Sequence, residues 1–137
     1  MADMMQFDLV SPERRLASVQ ASEVQLPGAD GDMTAMPDHS LVITTLRPGI
    51  LRVNSSDGML EYAVTGGFAE VTPGATSVLA EQAVPVAEMT REILDQFAAE
   101  AADARDNASA ETLDELTKHV HDIAALGAEL GLTVKAG

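Results

Sequence analysis

The chain has 137 residues, a hydrophobic content of 46% and a formal net charge of −14. This is enough for one ordinary domain, or a small domain with an appendage, and enough apolar content to form a core rather than stay disordered. The negative balance excludes nucleic acid, whose phosphates need Lys and Arg, and argues against an anionic lipid surface, while favouring solubility and a basic protein partner.

Met1-Ala2-Asp3-Met4-Met5 has neither a basic n-region nor an apolar h-region, so no signal peptide or Arg-rich transit peptide is expected. No apolar run reaches the roughly 18–20 residues that span a bilayer. Met5–Val10 reads as a first strand, and residues 16–26 as a longer extended stretch with imperfect alternation. Next comes a block of turn signals around one apolar run: Leu26-Pro27-Gly28-Ala29-Asp30-Gly31-Asp32, Pro37-Asp38-His39, and Leu46-Arg47-Pro48-Gly49. Local structure alone does not require so specific an arrangement, which suggests a docking subunit rather than an enzyme. Strands follow at 41–46, 50–54 and 59–65, the last two joined by Ser55-Ser56-Asp57-Gly58, a hairpin signal. Gly67–Val71 and Ala75–Ala80 flank the turn Thr72-Pro73-Gly74. Many short strands at this spacing predict an antiparallel sandwich or barrel.

All six prolines and seven of the ten glycines lie at or before Pro85, so a domain border is expected there: a β-domain over 1–85 and a helical one over 86–137. A first helix is predicted over 86–107, with Met89, Ile93, Phe97 and Ala101 on one face. Ala98, Ala99, Ala102 and Ala104 keep it slim enough for a partner helix to approach. The second helix is predicted to start near Ser109 as N-cap. Leu113, Leu116, Val120, Ile123, Gly127 and Leu130 form a seam with alternating spacings of three and four, and Gly131 is a natural stop. Asn107-Ala108-Ser109 is short enough to force an antiparallel hairpin.

Candidate chemistry is sparse. Cysteine is absent, so there is no disulfide frame, thiol nucleophile or Cys-based zinc site. The lack of disulfides fits a reducing compartment. His119 and His121 are two apart on a helix and point about 200° apart, so they cannot grip one ion; solvated polar positions explain them. Asp30-Gly31-Asp32 begins like a calcium loop but lacks the later ligands and the terminal Glu. Gly66-Gly67 lacks the third glycine and following helix of a dinucleotide site, and close strand approach or a bulge accounts for it. Three histidines, two of them on the polar helix, leave no triad. His39 is either a loop cap or an interface contact.

Together these residues resemble the epsilon subunit of F-type ATP synthase, over nearly the whole chain. The likeness is carried by Val10-Ser11-Pro12-Glu13-Arg14, Leu26 to Asp32, Pro37-Asp38-His39-Ser40-Leu41, Leu46-Arg47-Pro48-Gly49, Gly66-Gly67-Phe68-Ala69-Glu70-Val71 and Leu79-Ala80-Glu81-Gln82-Ala83. It implies an α+β chain: a flattened N-terminal antiparallel β-sandwich followed by a C-terminal antiparallel two-helix hairpin. It implies a non-catalytic subunit of the rotor's central stalk, with no cofactor or metal. Such a subunit binds the gamma subunit, sits on the polar loops of the c-ring, and couples proton-driven rotation to ATP synthesis. It would be peripheral on the cytoplasmic face of a bacterial inner membrane. The resemblance makes Ala29, Asp30, Gly31, Asp32 and His39 ring-facing, and the ring loops' basic residues suit Asp30 and Asp32. Gly28, Pro48, Gly49, Gly66 and Gly67 would be structural turns.

Three departures stand out. The family usually has glycine where this chain has Thr34 and Asp38. Some members bind ATP through an Ile/Leu-Asp-x-x-Arg pattern, but the matching positions here are Met89, Thr90 and Ile93, without the carboxylate and guanidinium, so no tight ATP binding is expected. In several relatives the hairpin extends and its bases meet an acidic loop of the beta subunit. Here Arg91, Arg105, Lys118 and Lys135 face eleven acids, a net of −7 after Pro85, which disfavours that contact and makes the hairpin at most a weak brake. The competing class is a free-standing β-sandwich adaptor that dimerises through the helical seam.

Overall fold

The computed structural model describes residues 3–132. Met1 and Ala2 of the N-terminal reading, and Lys135 of the hairpin charge count, lie outside them. Nine strands come first: β1 Met5–Val10, β2 Arg15–Leu26, β3 Met33–Ala35, β4 Val42–Leu46, β5 Gly49–Ser55, β6 Gly58–Val64, β7 Gly67–Val71, β8 Ala75–Ala80 and β9 Ala83–Pro85. A 3-10 turn over Val86–Glu88 then leads to α1 Arg91–Asp106 and α2 Leu113–Glu129.

The strands hydrogen-bond in the order β4-β7-β8-β1-β2-β5-β6-β9, with β3 added to β2. The sheet folds over on itself, because Leu46 of β4 and Val64 of β6, far apart in that order, share one core with Phe7, Leu9, Val24, Leu51 and Val71. The result is a β-sandwich. Strand β2 crosses between its layers: its first part pairs with β1 and its second with β5 and β3. The register with β5 shifts between Ala21 and Glu23, and such a bulge bends a strand. That bend explains the imperfect alternation read over 16–26. The pairings are antiparallel except β1 with β8, which is parallel.

The helices form an antiparallel hairpin in which Leu94, Phe97, Ala101 and Ile123 are buried together, with Val120 half-buried beside them. The hairpin is seated on the sandwich by Leu126, which is buried against Ile50 of β5 and Ala63 of β6. Helix α2 closes at Gly131 as expected, with the Leu132 N–H donating to the Gly127 carbonyl at 2.8 Å.

Several expectations need correction. The first helix starts at Arg91, not 86, because Ala83–Pro85 pairs as an edge strand with β6 and Val86–Glu88 forms the 3-10 turn. Thr90 is its N-cap, accepting the Ile93 N–H at 3.2 Å. The second helix starts at Leu113; Ser109 instead accepts the Thr112 N–H on its carbonyl at 3.1 Å, a turn ahead of the helix. Leu113 is 44% exposed and lies outside the seam, while Leu126, not on the expected seam, is buried. The short strands β3 and β9 were not expected.

Candidate docking surfaces

The turn block folds into a braced loop. After Leu26 the Pro27 ring interrupts the ladder, and Gly28 makes an isolated bridge to Leu46. Ala29 N–H donates to the Thr45 carbonyl at 2.8 Å, and Gly31 N–H to that of Gly28 at 3.1 Å. A Cβ on Gly28 would sit 2.4 Å from the Gly31 oxygen, so only glycine closes this turn. Gly49, next to Pro48, lies against the Pro27 ring, where a Cβ would be 2.6 Å from the Pro27 Cβ. The two Pro-Gly pairs therefore brace each other across the sheet edge.

Arg47 locks this arrangement. Its Nη1 donates to the Gly28 carbonyl at 2.6 Å and its Nη2 to Asp32 Oδ1 at 2.5 Å. The two acidic residues of the loop thus differ: Asp32 is ion-paired within the chain, whereas Asp30 is exposed and has no ion pair among the described residues. One side of the loop borders a cleft that Glu115, Lys118, His119 and Asp122 of α2 also line.

His39 lies elsewhere on the same edge. Its N–H closes a turn on the Met36 carbonyl, and its Nδ1 is 2.6 Å from the Ser40 carbonyl, so Nδ1 carries the proton. Asp38 donates its N–H to Pro73, two residues past Val71, which pairs with Val42. The 28–32 loop is anchored instead at Thr45, opposite Phe68. From Phe68 to the end of β7 at Val71 is roughly 10 Å of extended chain, and Pro73 lies in the turn beyond it. The residues expected to face a ring therefore fall into two separate groups along β4, with exposed Leu41 and Ile43 between them.

The sequence reading missed an apolar groove on the outer face. Phe68 pairs with Leu79 across β7 and β8, and Leu79 with Val10 across β8 and β1. With Pro12 they line a space of about 440 Å³. Phe68 and Leu79 are 49% and 48% exposed. Alternation could have revealed them: Ala69 and Val71 point inward, which puts an aromatic on the water side of β7.

The remaining candidates stay apart. Gly67, expected as a turn, is instead the first residue of β7, where it approaches the Leu79 carbonyl too closely for a Cβ, and Gly66 before it lies against the Glu81 carboxylate. Thr90 is spent as a cap, while Met89 and Ile93 pack on the hairpin cluster. His121 is exposed and His119 half-buried. Among the described residues no three His, Cys, Asp or Glu side chains gather to hold a metal, and no helix is long and apolar enough to cross a membrane.

The family model for "ATP synthase, Delta/Epsilon chain, beta-sandwich domain" matches residues 4–86. The ATP synthase epsilon chain of Ruegeria sp. (strain TM1040) is 53% identical over 137 residues, covering 96% of this chain and 100% of that one. That of Rhodobacter capsulatus is 55% identical over 132 residues, again covering 96% and 100%. A chain in the mitochondrial ATP synthase of Euglena gracilis, solved as OSCP/F1/c-ring, superposes with a TM-score of 0.69 at 23% identity, covering 93% of this chain and 81% of that one. At that identity the likeness is one of fold.

Proposed function

Because the chain belongs to the ATP synthase Delta/Epsilon chain family, we propose that it is a central-stalk rotor subunit that links the c-ring to the gamma subunit. In this role it couples proton-driven rotation to ATP synthesis without being catalytic itself. The single observation that carries the reading is the full-length likeness to bacterial epsilon chains. The geometry supports it with two distinct surfaces on one sandwich. The edge carrying Asp30 and His39 suits the polar, basic loops of the ring. The Phe68–Leu79 groove suits an apolar segment of gamma, since buried aromatic anchors dominate such interfaces. The subunit is peripheral, held at the cytoplasmic face of a bacterial inner membrane by its partners.

The two-unit division at Pro85 belongs to the same proposal: the sandwich couples, and the hairpin is mainly a folded element and a weak brake. Of the hairpin's three described bases, Arg105 pairs with Asp106 and Lys118 with Asp122, leaving little positive charge for an acidic loop of beta. The adaptor alternative is disfavoured because Val120 and Ile123 of its dimer seam pack within the chain.

Mixing the chain with gamma should yield a stable one-to-one complex on a sizing column. Self-association without gamma affinity would point to the adaptor. Truncation after about Val86 should barely change ATP hydrolysis by the assembled enzyme, whereas several-fold activation would make the hairpin a strong brake.

A further inference from the structure

We propose that Arg47 is the positioning residue of the docking loop, and that Asp30, rather than Asp32, is the carboxylate this loop offers to a basic partner. The proposal rests on the ring-facing reading above and assigns separate tasks to residues that look alike in sequence.

Arg47 stands at the β4–β5 turn, and its own N–H donates to the Pro27 carbonyl at 3.0 Å. Its side chain then reaches both ends of the 28–32 turn, Gly28 by the carbonyl and Asp32 by the carboxylate. A planar guanidinium can serve two such acceptors at once, which an ammonium does less well. The Arg47 side chain is 26% exposed and that of Asp32 78%. The charge of Asp32 is thus compensated inside the loop, and a partner cation would have to compete with Arg47 for it. Asp30, one residue beyond the Ala29–Thr45 hydrogen bond, carries no such compensation. Lys118 borders the same cleft but is paired with Asp122 at 2.7 Å.

Positioning and charge make opposite predictions for loss of Arg47. Removing a cation makes the loop more negative, so electrostatics alone would tighten binding to a basic partner. Releasing the turn that presents Asp30 would loosen it.

The test measures affinity of the full-length chain for isolated c-ring in detergent at low salt, with gamma affinity and circular dichroism as controls. Asp30→Asn should weaken ring binding about two- to five-fold, the range for exposed ion pairs, and Asp32→Asn by less than about twofold. Arg47→Ala should weaken it about as much as Asp30→Asn, despite the added negative charge, and should have no further effect in the Asp30→Asn background. Arg47→Lys keeps the charge and loses the fork. It should weaken binding in the same direction, and it serves if Arg47→Ala fails to fold. Gamma affinity should not change. Tighter ring binding by the Arg47 variants, additive effects with Asp30→Asn, or a loss confined to Asp32→Asn would each overturn the proposal. If the unaltered chain binds gamma but not the ring, the ring-facing reading itself fails and this inference falls with it.

Discussion

The Asp38 N–H donates to the Pro73 carbonyl at 2.8 Å while the Asp38 backbone holds φ at +67°. Asp38 is the sole non-glycine residue in the left-handed region among the described residues, at a position where the family resemblance leads one to expect glycine. Aspartate tolerates that region better than most side chains, so this chain keeps the turn without the glycine.

This relationship gives a paired prediction. Asp38→Gly relieves strain and adds chain entropy to the unfolded state, terms of similar size, so stability should change by less than about 0.5 kcal/mol. Asp38→Val puts a β-branched residue at positive φ and should cost about 1–2 kcal/mol. Urea denaturation of the two variants checks both.

Phe68 and Leu79 are already half in water, so Phe68→Ser should alter stability by no more than about 0.5 kcal/mol. If the groove holds an apolar segment of gamma, the same change should cost about 2 kcal/mol or more of gamma affinity, as loss of an aromatic anchor does. Titration calorimetry against gamma, beside a melting curve of the free chain, separates the two effects.

Leu126→Ala should release the hairpin from the sandwich. The site is fully buried, and such truncations cost about 2–5 kcal/mol. Because the hairpin has its own cluster around Phe97 and Ile123, the loss should be local. Hydrogen exchange should speed up in α2 while β1 and β8 stay protected; equal loss in both would mean one cooperative unit.

Thr90 caps α1, so Thr90→Ala should destabilise that helix by about 1 kcal/mol, read as earlier loss of helical circular dichroism in urea. Neither Thr90 nor Ile93 offers a nucleotide a charged group. Calorimetry with ATP should show no micromolar binding by the isolated chain, and a clear micromolar isotherm would contradict this.

Burial raises the pKa of Tyr62 above its ordinary value of 10.0 by disfavouring the phenolate. The folded chain therefore holds this proton more tightly than the unfolded chain. The resulting stability is complete below pH 10 and falls as pH rises through the folded pKa. Ultraviolet titration of the phenol should give a midpoint above 10.0, and Tyr62→Phe should flatten the alkaline loss of stability.

Strands were legible in the sequence where alternation was clean. Met5, Phe7 and Leu9 are buried and their neighbours are not, a pattern that follows from side chains alternating across a sheet. Strands β3 and β9 have three residues each, too few to establish a period, and β9 ends in a proline, which suits only an edge. Helical spacing found the hairpin but not its start, because the helix was expected from Val86, where the composition changes, while Val86–Glu88 forms a 3-10 turn after the edge strand Ala83–Pro85. Leu126 escaped because the seam between helices was read and the face toward the sandwich was not. At the candidate site, the turn block showed in its prolines and glycines. The inequality of Asp30 and Asp32 did not show, since it depends on Arg47, fifteen residues beyond Asp32, folding back across the turn.

The parallel pairing of β1 with β8 bears on how the chain is made. Gln6 to Val10 line up with Ala75 to Leu79, and Thr76 donates to the Met5 sulfur across 71 positions of sequence. Strand β1 therefore finds one of its two neighbours only after about seventy more residues are synthesised, several seconds later at ordinary rates. Until then its apolar face is open to chaperones and to mispairing. The hairpin, which emerges after all nine strands, meets a sandwich that has already been able to close.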